Sequence, residues 1–211
     1  MKLFLASSFD KTIKIFEKKL STSISGKKVI FIANAADKHA TDTWWVRADR
    51  EAFVKYGCNL AEIDLRNISE SDLEKLLNVS DIIHFCGGSV LYLSNLIKEK
   101  GLSNIIIDQV RKGKIIYSGT SAGSIIPALD LKLFHFDSEE KEYVDVESIK
   151  DFSGLGLVNF LILPHTNNID FVDANTVVVR HLPEFSQPVL FLYDNQAVWV
   201  EGDKFEIVES D

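Results

Sequence analysis

The sequence predicts an α/β protein of three layers, in which helices cover both faces of a doubly wound, mainly parallel sheet. Short apolar runs recur without alternating polar residues, which is typical of strands buried on both faces. Amphipathic helical patterns separate these runs, as in parallel sheets. The C-terminal stretch is different and predicts a β-hairpin. The length of 211 residues suits a single domain over 1–211.

Six apolar runs predict the strands. They are "LFLA" at 3–6, "VIFIA" at 29–33, "IIHFC" at 82–86, "IIYS" at 115–118, "FLIL" at 160–163 and "VLFL" at 189–192. Near the C-terminus, "QAVWVEGDKFEIVES" predicts a hairpin that turns at Gly202-Asp203. Ligand sites in sheets of this kind lie at the carboxyl ends of the strands. The residues that follow each run are therefore the first candidates for function.

Four segments between the strands have helical patterns. They are "TDTWWVRADREAFVKYG", "SESDLEKLLNVS", "SVLYLSNLIKEKG" and "NIIIDQVRKG". In the first segment a helical stripe favours core or dimer contacts for Trp44 and Trp45 over a place in a pocket. Residues 134–153 are polar and acidic, and we expect them to form a surface segment that serves as a lid or an interface.

Composition limits the classes of partner. The chain has 23 Lys and Arg against 31 Asp and Glu, a net charge of -8, so we expect no nucleic-acid surface. No apolar run approaches the length that spans a membrane, and the N-terminal apolar core is too short for a signal peptide. We therefore expect a cytoplasmic protein without membrane contacts. Cys58 and Cys86 lie in apolar segments, which indicates buried free thiols.

Residues 119–123, "GTSAG", match the G-x-S-x-G pattern of a nucleophile elbow. They follow one predicted strand and precede a short helical start, which Pro127 must interrupt. In such a turn the serine takes an unfavourable backbone conformation, and the glycines allow the strand and the helix to approach closely. Ser121 is thus the candidate nucleophile. The backbone N–H groups of Gly88 and Ala122 are candidates for an oxyanion hole.

A serine nucleophile also needs a base and an acid that orients the base. His165 follows the run "FLIL" and is the candidate base, because the other histidines lie within a strand run or in polar segments. Asp194 follows the run "VLFL" in the same way and is the candidate acid. Its competitors, mostly in polar segments, are Asp130, Asp137, Asp145, Asp151 and Asp170. Neither H-E-x-x-H nor a paired-cysteine pattern nor a P-loop occurs, so no metal or cofactor is expected.

Four segments resemble the peptidase E family in their order and context. They are "FCGGSVLYLSNLI", "YSGTSAGSIIPALDL", "LILPHTNN" and "LFLYDNQAVWVEGDKFEIV". Members of this family include serine aspartyl dipeptidases, and their fold resembles the class I glutamine amidotransferases. The resemblance covers nearly the whole chain. It implies a serine exopeptidase that hydrolyses small peptides, with aspartate at the N-terminus of the substrate, and it implies a homodimer.

The resemblance also assigns roles to individual residues. It implies that Ser121 is the nucleophile, that His165 is the base, and that Gly88 and Ala122 supply the oxyanion donors. The third member of the family's triad is often a glutamate, and Asp194 occupies the matching strand end here. The segment after the histidine is shorter than in the aspartyl dipeptidases. Its only arginine, Arg180, has no assigned role.

Two other functions remain open at this level. An α/β-hydrolase-like esterase would use Ser121 and His165 with Asp145 or Asp151 as its acid. An amidotransferase-like binding module would keep the fold without turnover. The chain is short for the first alternative, and the presence of a serine, a histidine and an aspartate at three strand ends disfavours the second.

Overall fold

A computed structural model describes residues 1–39 and 42–210 and contains nine strands within those ranges. The strands are β1 (Lys2–Ala6), β2 (Lys28–Ile32), β3 (Asn59–Ile63), β4 (Ile82–Phe85), β5 (Ile116–Thr120), β6 (Leu161–Leu163), β7 (Val189–Phe191), β8 (Gln196–Glu201) and β9 (Lys204–Glu209). Seven of them form one sheet in the order β3-β2-β4-β5-β1-β8-β9. The first five of these are parallel, and the C-terminal hairpin adds two antiparallel strands. The α/β prediction and the predicted hairpin are both confirmed.

Helices pack on both faces of this sheet. They are α1 (Phe9–Leu20), α2 (Trp44–Lys55), α3 (Glu70–Leu77), α4 (Val90–Glu99), α5 (Ser103–Arg111), α6 (Ala122–Ile125), α7 (Glu140–Tyr143) and α8 (Val172–Arg180). The second predicted helical segment becomes α3, and its Ser69 caps the helix by accepting a hydrogen bond from the Asp72 N–H at 3.1 Å. Thr41, where the first predicted helical segment begins, lies outside the described residues. None of the described helices is both long and apolar enough to cross a lipid bilayer.

Strand β1, in the interior of the main sheet, shows how the three layers arise. Leu3 and Leu5 belong to one buried apolar cluster, whereas Phe4 and Ala6 belong to a second cluster. Successive side chains of a strand point to opposite faces of its sheet. A continuous apolar run therefore supplies one core on each face, and helices close both cores.

Two strands depart from the predicted arrangement. β6 and β7 do not extend the main sheet but pair in parallel with each other as a separate two-stranded sheet. β3 was not among the predicted strands because its sequence, "NLAEI", is not a continuous apolar run. It lies at the edge of the main sheet, where strands are less buried, and its residues are half-buried or exposed. The separate sheet matters for function because two candidate site residues follow β6 and β7.

Residues 134–153, the predicted surface segment, form short helical turns and α7. Most of the acidic side chains in this range are exposed, but Glu140 is only 4% exposed. Its carboxylate accepts hydrogen bonds from the Ser89 hydroxyl at 2.6 Å and from the backbone N–H groups of Val90 at 2.6 Å and Leu91 at 3.1 Å. Burial raises the pKa of Glu140 to about 7. This side chain fastens the acidic segment to the first turn of α4.

Candidate active site

Ser121 occupies the turn between β5 and α6. Its φ of 49° and ψ of -113° lie in a sparsely populated region for a residue with a side chain, which costs about 1–3 kcal/mol. The turn is held in place because the Ser121 N–H donates to the Ala6 carbonyl oxygen at 3.1 Å. The helix that follows ends at Ile125, as Pro127 predicted. The surrounding structure therefore maintains a strained serine at a strand end.

The two glycines of the pentapeptide are required by close backbone contacts. A Cβ atom on Gly119 would lie 2.3 Å from the Gly123 carbonyl oxygen. A Cβ atom on Gly123 would lie 2.0 Å from the carbonyl oxygen of Phe85, the last residue of β4. Both distances are shorter than real Cβ contacts. The glycines thus bring α6 against β4 and β5, and this packing fixes the position of Ser121.

The candidate oxyanion donors flank the serine. A Cβ atom on Gly87 would lie 3.2 Å from the Ser121 Cβ, so the Gly87-Gly88 turn packs directly against the candidate nucleophile. Ala122 is the first residue of α6. Within the described residues, neither the Gly88 N–H nor the Ala122 N–H donates a hydrogen bond. Two unpaired donors beside one serine are suited to a developing negative oxygen.

His165 and Asp194 form a short hydrogen bond. The His165 Nδ1 lies 2.6 Å from the Asp194 Oδ1, and both residues are buried. The hydrogen bond from His165 is the main cause that holds the pKa of Asp194 well below its ordinary value, and Lys11 acts in the same direction. Asp194 is therefore an ionised acceptor that holds the imidazole by its Nδ1 atom.

Several residues that the sequence did not identify support this pair. His165 has a φ of 59°, and its backbone N–H donates to the Ser7 hydroxyl oxygen at 2.9 Å. Lys11 donates to the Asp194 Oδ2 at 2.9 Å, and Asn168 reaches the same atom at 3.3 Å. The only sequence signal for them is position, because Ser7 follows β1 and Asn168 follows β6.

Ser121, Gly88, His165 and Asp194 line one cleft of about 380 Å³. The structure thus brings together the ends of β4 and β5 in the main sheet and the ends of β6 and β7 in the separate sheet. Ser121 Oγ makes no hydrogen bond to His165 within the described part of the chain. Catalytic hydrogen bonds are often long in structures without substrate, so this arrangement is compatible with a nucleophile and its base.

Trp45 packs against the buried cluster that contains Phe4, as the sequence predicts, but the preference for core or dimer contacts over a place in a pocket is wrong. Both indoles line the cleft, and Trp44 is 57% exposed. The Trp45 Nε1–H donates to the Gly87 carbonyl oxygen at 3.1 Å, which joins α2 to the turn of the candidate oxyanion hole. The helical stripe could not reveal this because it identifies only the side of α2 that packs on the core, whereas the cleft is lined by segments that are distant in the sequence.

The two acids of the esterase alternative lie outside the cleft. Asp145 and Asp151 are exposed, and Asp151 pairs with Lys98 at 3.4 Å. Arg180 is exposed at the end of α8 and does not line the cleft. None of these three side chains contacts the His165–Asp194 pair among the described residues.

One buried group has the composition of a metal site. Asp49, His84 and Cys86 place one ligand atom each within 4.8 Å of the others. Both ring nitrogens of His84 already have partners, since Nδ1 lies 3.0 Å from the Ser118 hydroxyl and Nε2 lies 3.3 Å from the Asp49 carboxylate. Burial raises the pKa of Cys86 well above its usual range, which disfavours the thiolate that binds metals. The group fits a polar contact within the core.

The fold and the site define a class of α/β protein with a strained serine at a strand end, opposite a histidine–aspartate pair. A crystal structure of a candidate peptidase E protein from Listeria monocytogenes EGD-e is similar over 100% of this chain and 98% of that chain, with a TM-score of 0.87 and 26% identity. A peptidase from an acI-B1 Actinobacterium shares the fold, with a TM-score of 0.68 and 16% identity over 99% of this chain and 87% of that chain.

Sequence comparison identifies the family. The model of Peptidase family S51 matches residues 3–208. An uncharacterized peptidase of Listeria innocua is 31% identical and covers 84% of this chain and 82% of its own length. An uncharacterized peptidase of Pasteurella multocida is 30% identical, and the match covers 96% of this chain and 94% of that protein. The chain belongs to Peptidase family S51, the peptidase E family, and is a peptidase.

Proposed function

We propose that this protein is a serine exopeptidase that hydrolyses short peptides through Ser121, His165 and Asp194. The observation that carries the proposal is the 2.6 Å hydrogen bond between His165 and Asp194 in the cleft that Ser121 lines. An ionised aspartate on Nδ1 leaves the Nε2 atom of the imidazole to accept a proton. The small volume of the cleft favours a dipeptide or a short peptide over a protein chain.

In the proposed mechanism the Ser121 Oγ attacks the scissile carbonyl carbon while His165 takes the hydroxyl proton. The tetrahedral oxyanion accepts hydrogen bonds from the N–H groups of Gly88 and Ala122. His165 then donates the proton to the leaving amine, and an acyl-enzyme remains on Ser121. Water that loses a proton to His165 attacks the ester carbonyl carbon. His165 returns that proton to the Ser121 Oγ as the ester C–O bond breaks and the acid product leaves. Asp194 stabilises the imidazolium in both halves of the reaction.

The first test compares Ser121→Ala with Ser8→Ala. Ser8 lines the same cleft but has no role in the proposed chemistry, so it is a matched control. A panel of dipeptides, tripeptides and N-acetylated peptides is assayed by mass spectrometry. We expect Ser121→Ala to lose several orders of magnitude in kcat/KM, and we expect N-acetylation to block cleavage by both the parent and Ser8→Ala. Hydrolysis by Ser121→Ala at the parent's rate would contradict the proposal.

A second test separates the proposal from the esterase and from the binding module. A fluorophosphonate should label Ser121 in the parent, and the rate of labelling should fall sharply in His165→Ala and Asp194→Ala. Asp145→Ala and Asp151→Ala should react at the parent's rate because both side chains are exposed away from His165. An inert parent would favour the binding module. The esterase would be favoured if Asp145→Ala or Asp151→Ala were labelled slowly while Asp194→Ala were labelled at the parent's rate.

A further inference from the structure

The charged side chains around the cleft are predominantly acidic. Asp10, Glu139 and Asp170 line it, and none of them forms an ion pair within the described residues. Among the described residues, the only lysine that lines the cleft is Lys11, and it is paired with Asp194 at 2.9 Å. The cleft therefore offers three carboxylates that lie outside the ion pairs of the described residues, in the space that the proposed function gives to the substrate.

Burial and neighbouring carboxylates raise the pKa values of two of these groups. Burial raises the pKa of Asp10, the neighbouring Asp49 raises it further, and Lys11 acts in the opposite direction. Burial also raises the pKa of Glu139, with contributions from Asp137 and Glu142. A cation bound between such groups relieves both the desolvation and the repulsion of like charges.

The aromatic side chains of the cleft favour the same charge. The rings of Trp44 and Trp45 meet edge to face with their centroids 6.0 Å apart, and both indoles line the cleft. The faces of tryptophan rings attract ammonium and guanidinium groups. An exposed indole beside unpaired carboxylates is suited to a cationic side chain with an apolar stem.

Recognition of an acidic side chain would need basic groups in the lining of the cleft. Carboxylates are best bound by the planar guanidinium of arginine, but no arginine lines the cleft in the described residues. Three other arginines already form ion pairs: Arg47 with Asp42, Arg50 with Glu62, and Arg66 with Asp64. Arg180 lies outside the cleft at the end of α8.

We propose that the cleft selects peptides whose N-terminal residue has a basic side chain, and that it discriminates against N-terminal aspartate. This inference rests on the proposed function, since it assigns the substrate class of the same site. The ammonium or guanidinium group lies near Asp10, Glu139 and Asp170, and its methylene stem packs on the indoles. The aspartyl preference implied by the family resemblance does not carry over to this cleft.

The test compares Lys-Leu, Met-Leu and Asp-Leu as substrates, because methionine has nearly the length of lysine but no charge. At low ionic strength we expect kcat/KM for Lys-Leu to exceed that for Met-Leu by about tenfold, with Asp-Leu cleaved more slowly than both. Added salt should reduce the preference for lysine. Equal values for Lys-Leu and Met-Leu, or a preference for Asp-Leu, would overturn the inference.

Variants localise the effect. Asp10→Asn, Glu139→Gln and Asp170→Asn should each reduce the ratio of Lys-Leu to Met-Leu cleavage. Glu142→Gln is the matched control, because Glu142 is an exposed acidic residue close in sequence to Glu139 that does not line the cleft. A ratio that stays at the parent's value in all three cleft variants would contradict the assignment.

Binding to Ser121→Ala separates this inference from the proposed mechanism. Calorimetric titration of that variant with the same three dipeptides measures the preference without turnover. Tighter binding of Lys-Leu than of Met-Leu supports the inference even if Ser121 proves not to be the nucleophile. Equal binding of all three dipeptides refutes it even if Ser121 is essential for hydrolysis.

Discussion

Replacement of Gly88 by alanine is the sharpest structural test of the candidate oxyanion hole. Gly88 has a φ of 143°, and a Cβ atom there would lie 2.2 Å from the Ala35 carbonyl oxygen. Real Cβ contacts are at least 3.0 Å, so the two backbone segments must separate by about 0.8 Å. The Ser89 N–H also donates to the Ala35 oxygen at 2.9 Å, so the contact cannot open without moving that hydrogen bond.

The displacement sets the magnitude of the expected effect. Misplacement of a catalytic group by about 1 Å lowers the rate roughly 100-fold, and loss of one oxyanion donor has a similar effect. We therefore expect Gly88→Ala to react with a fluorophosphonate about 100-fold more slowly than the parent. Overpacking against Ala35 should also lower the free energy of unfolding by about 1–3 kcal/mol.

Gly101→Ala is the matched control for this variant. Gly101 follows α4 with a φ of 69°, and an added Cβ would meet nothing within 4 Å. It should cost about 1 kcal/mol of stability through its backbone conformation alone and leave the labelling rate unchanged. Thermal melts of both variants establish that they are folded. A folded Gly88→Ala protein that is labelled at the parent's rate would refute the reasoning.

Three further predictions concern stability and thiol reactivity. Because the fold lowers the pKa of Asp194, ionised Asp194 stabilises the folded protein at pH values above its ordinary pKa of 3.8. Urea titrations of the parent and of Asp194→Asn measure this contribution. The difference between their unfolding free energies should shrink as the pH falls below 3.8. Phe53→Ala should lower the unfolding free energy by about 3–5 kcal/mol, because Phe53 is fully buried. The control is Val54→Ala on the exposed face of α2, which should change the unfolding free energy by less than about 0.5 kcal/mol. Burial raises the pKa of the Cys58 thiol to about 11, so folded protein at pH 8 should react with a thiol reagent far more slowly than urea-unfolded protein, and equal rates would contradict this.

The sequence predicted the parts of the site that depend on local chemistry. The glycines of residues 119–123 indicated a tight turn around Ser121, and the structure shows the backbone contacts that require them. His165 and Asp194 were identified because each follows a short apolar strand. Their hydrogen bond joins residues 29 positions apart. It depends on the pairing of β6 with β7, which no local pattern specifies.

The supporting residues were beyond the reach of sequence reasoning. Ser7 contacts His165 across 158 positions, and Lys11 contacts Asp194 across 183 positions. A serine and a lysine at the start of an amphipathic helix are ordinary residues in any sequence. Only the position of β1 between β5 and β8 brings the start of α1 to the candidate site.

The sequence by itself determined the layered α/β architecture, the C-terminal hairpin and the strained turn at Ser121, because each depends on periodicity or backbone sterics within a few residues. Tertiary structure alone decided that β6 and β7 form a separate sheet, that Glu140 binds the first turn of α4, and that the indoles of α2 line the cleft. These features depend on contacts between segments that are distant in the sequence and become neighbours only in the folded protein. The charge of the cleft belongs to the same class, because Asp10, Glu139 and Asp170 come from three distant segments and meet only in the folded protein.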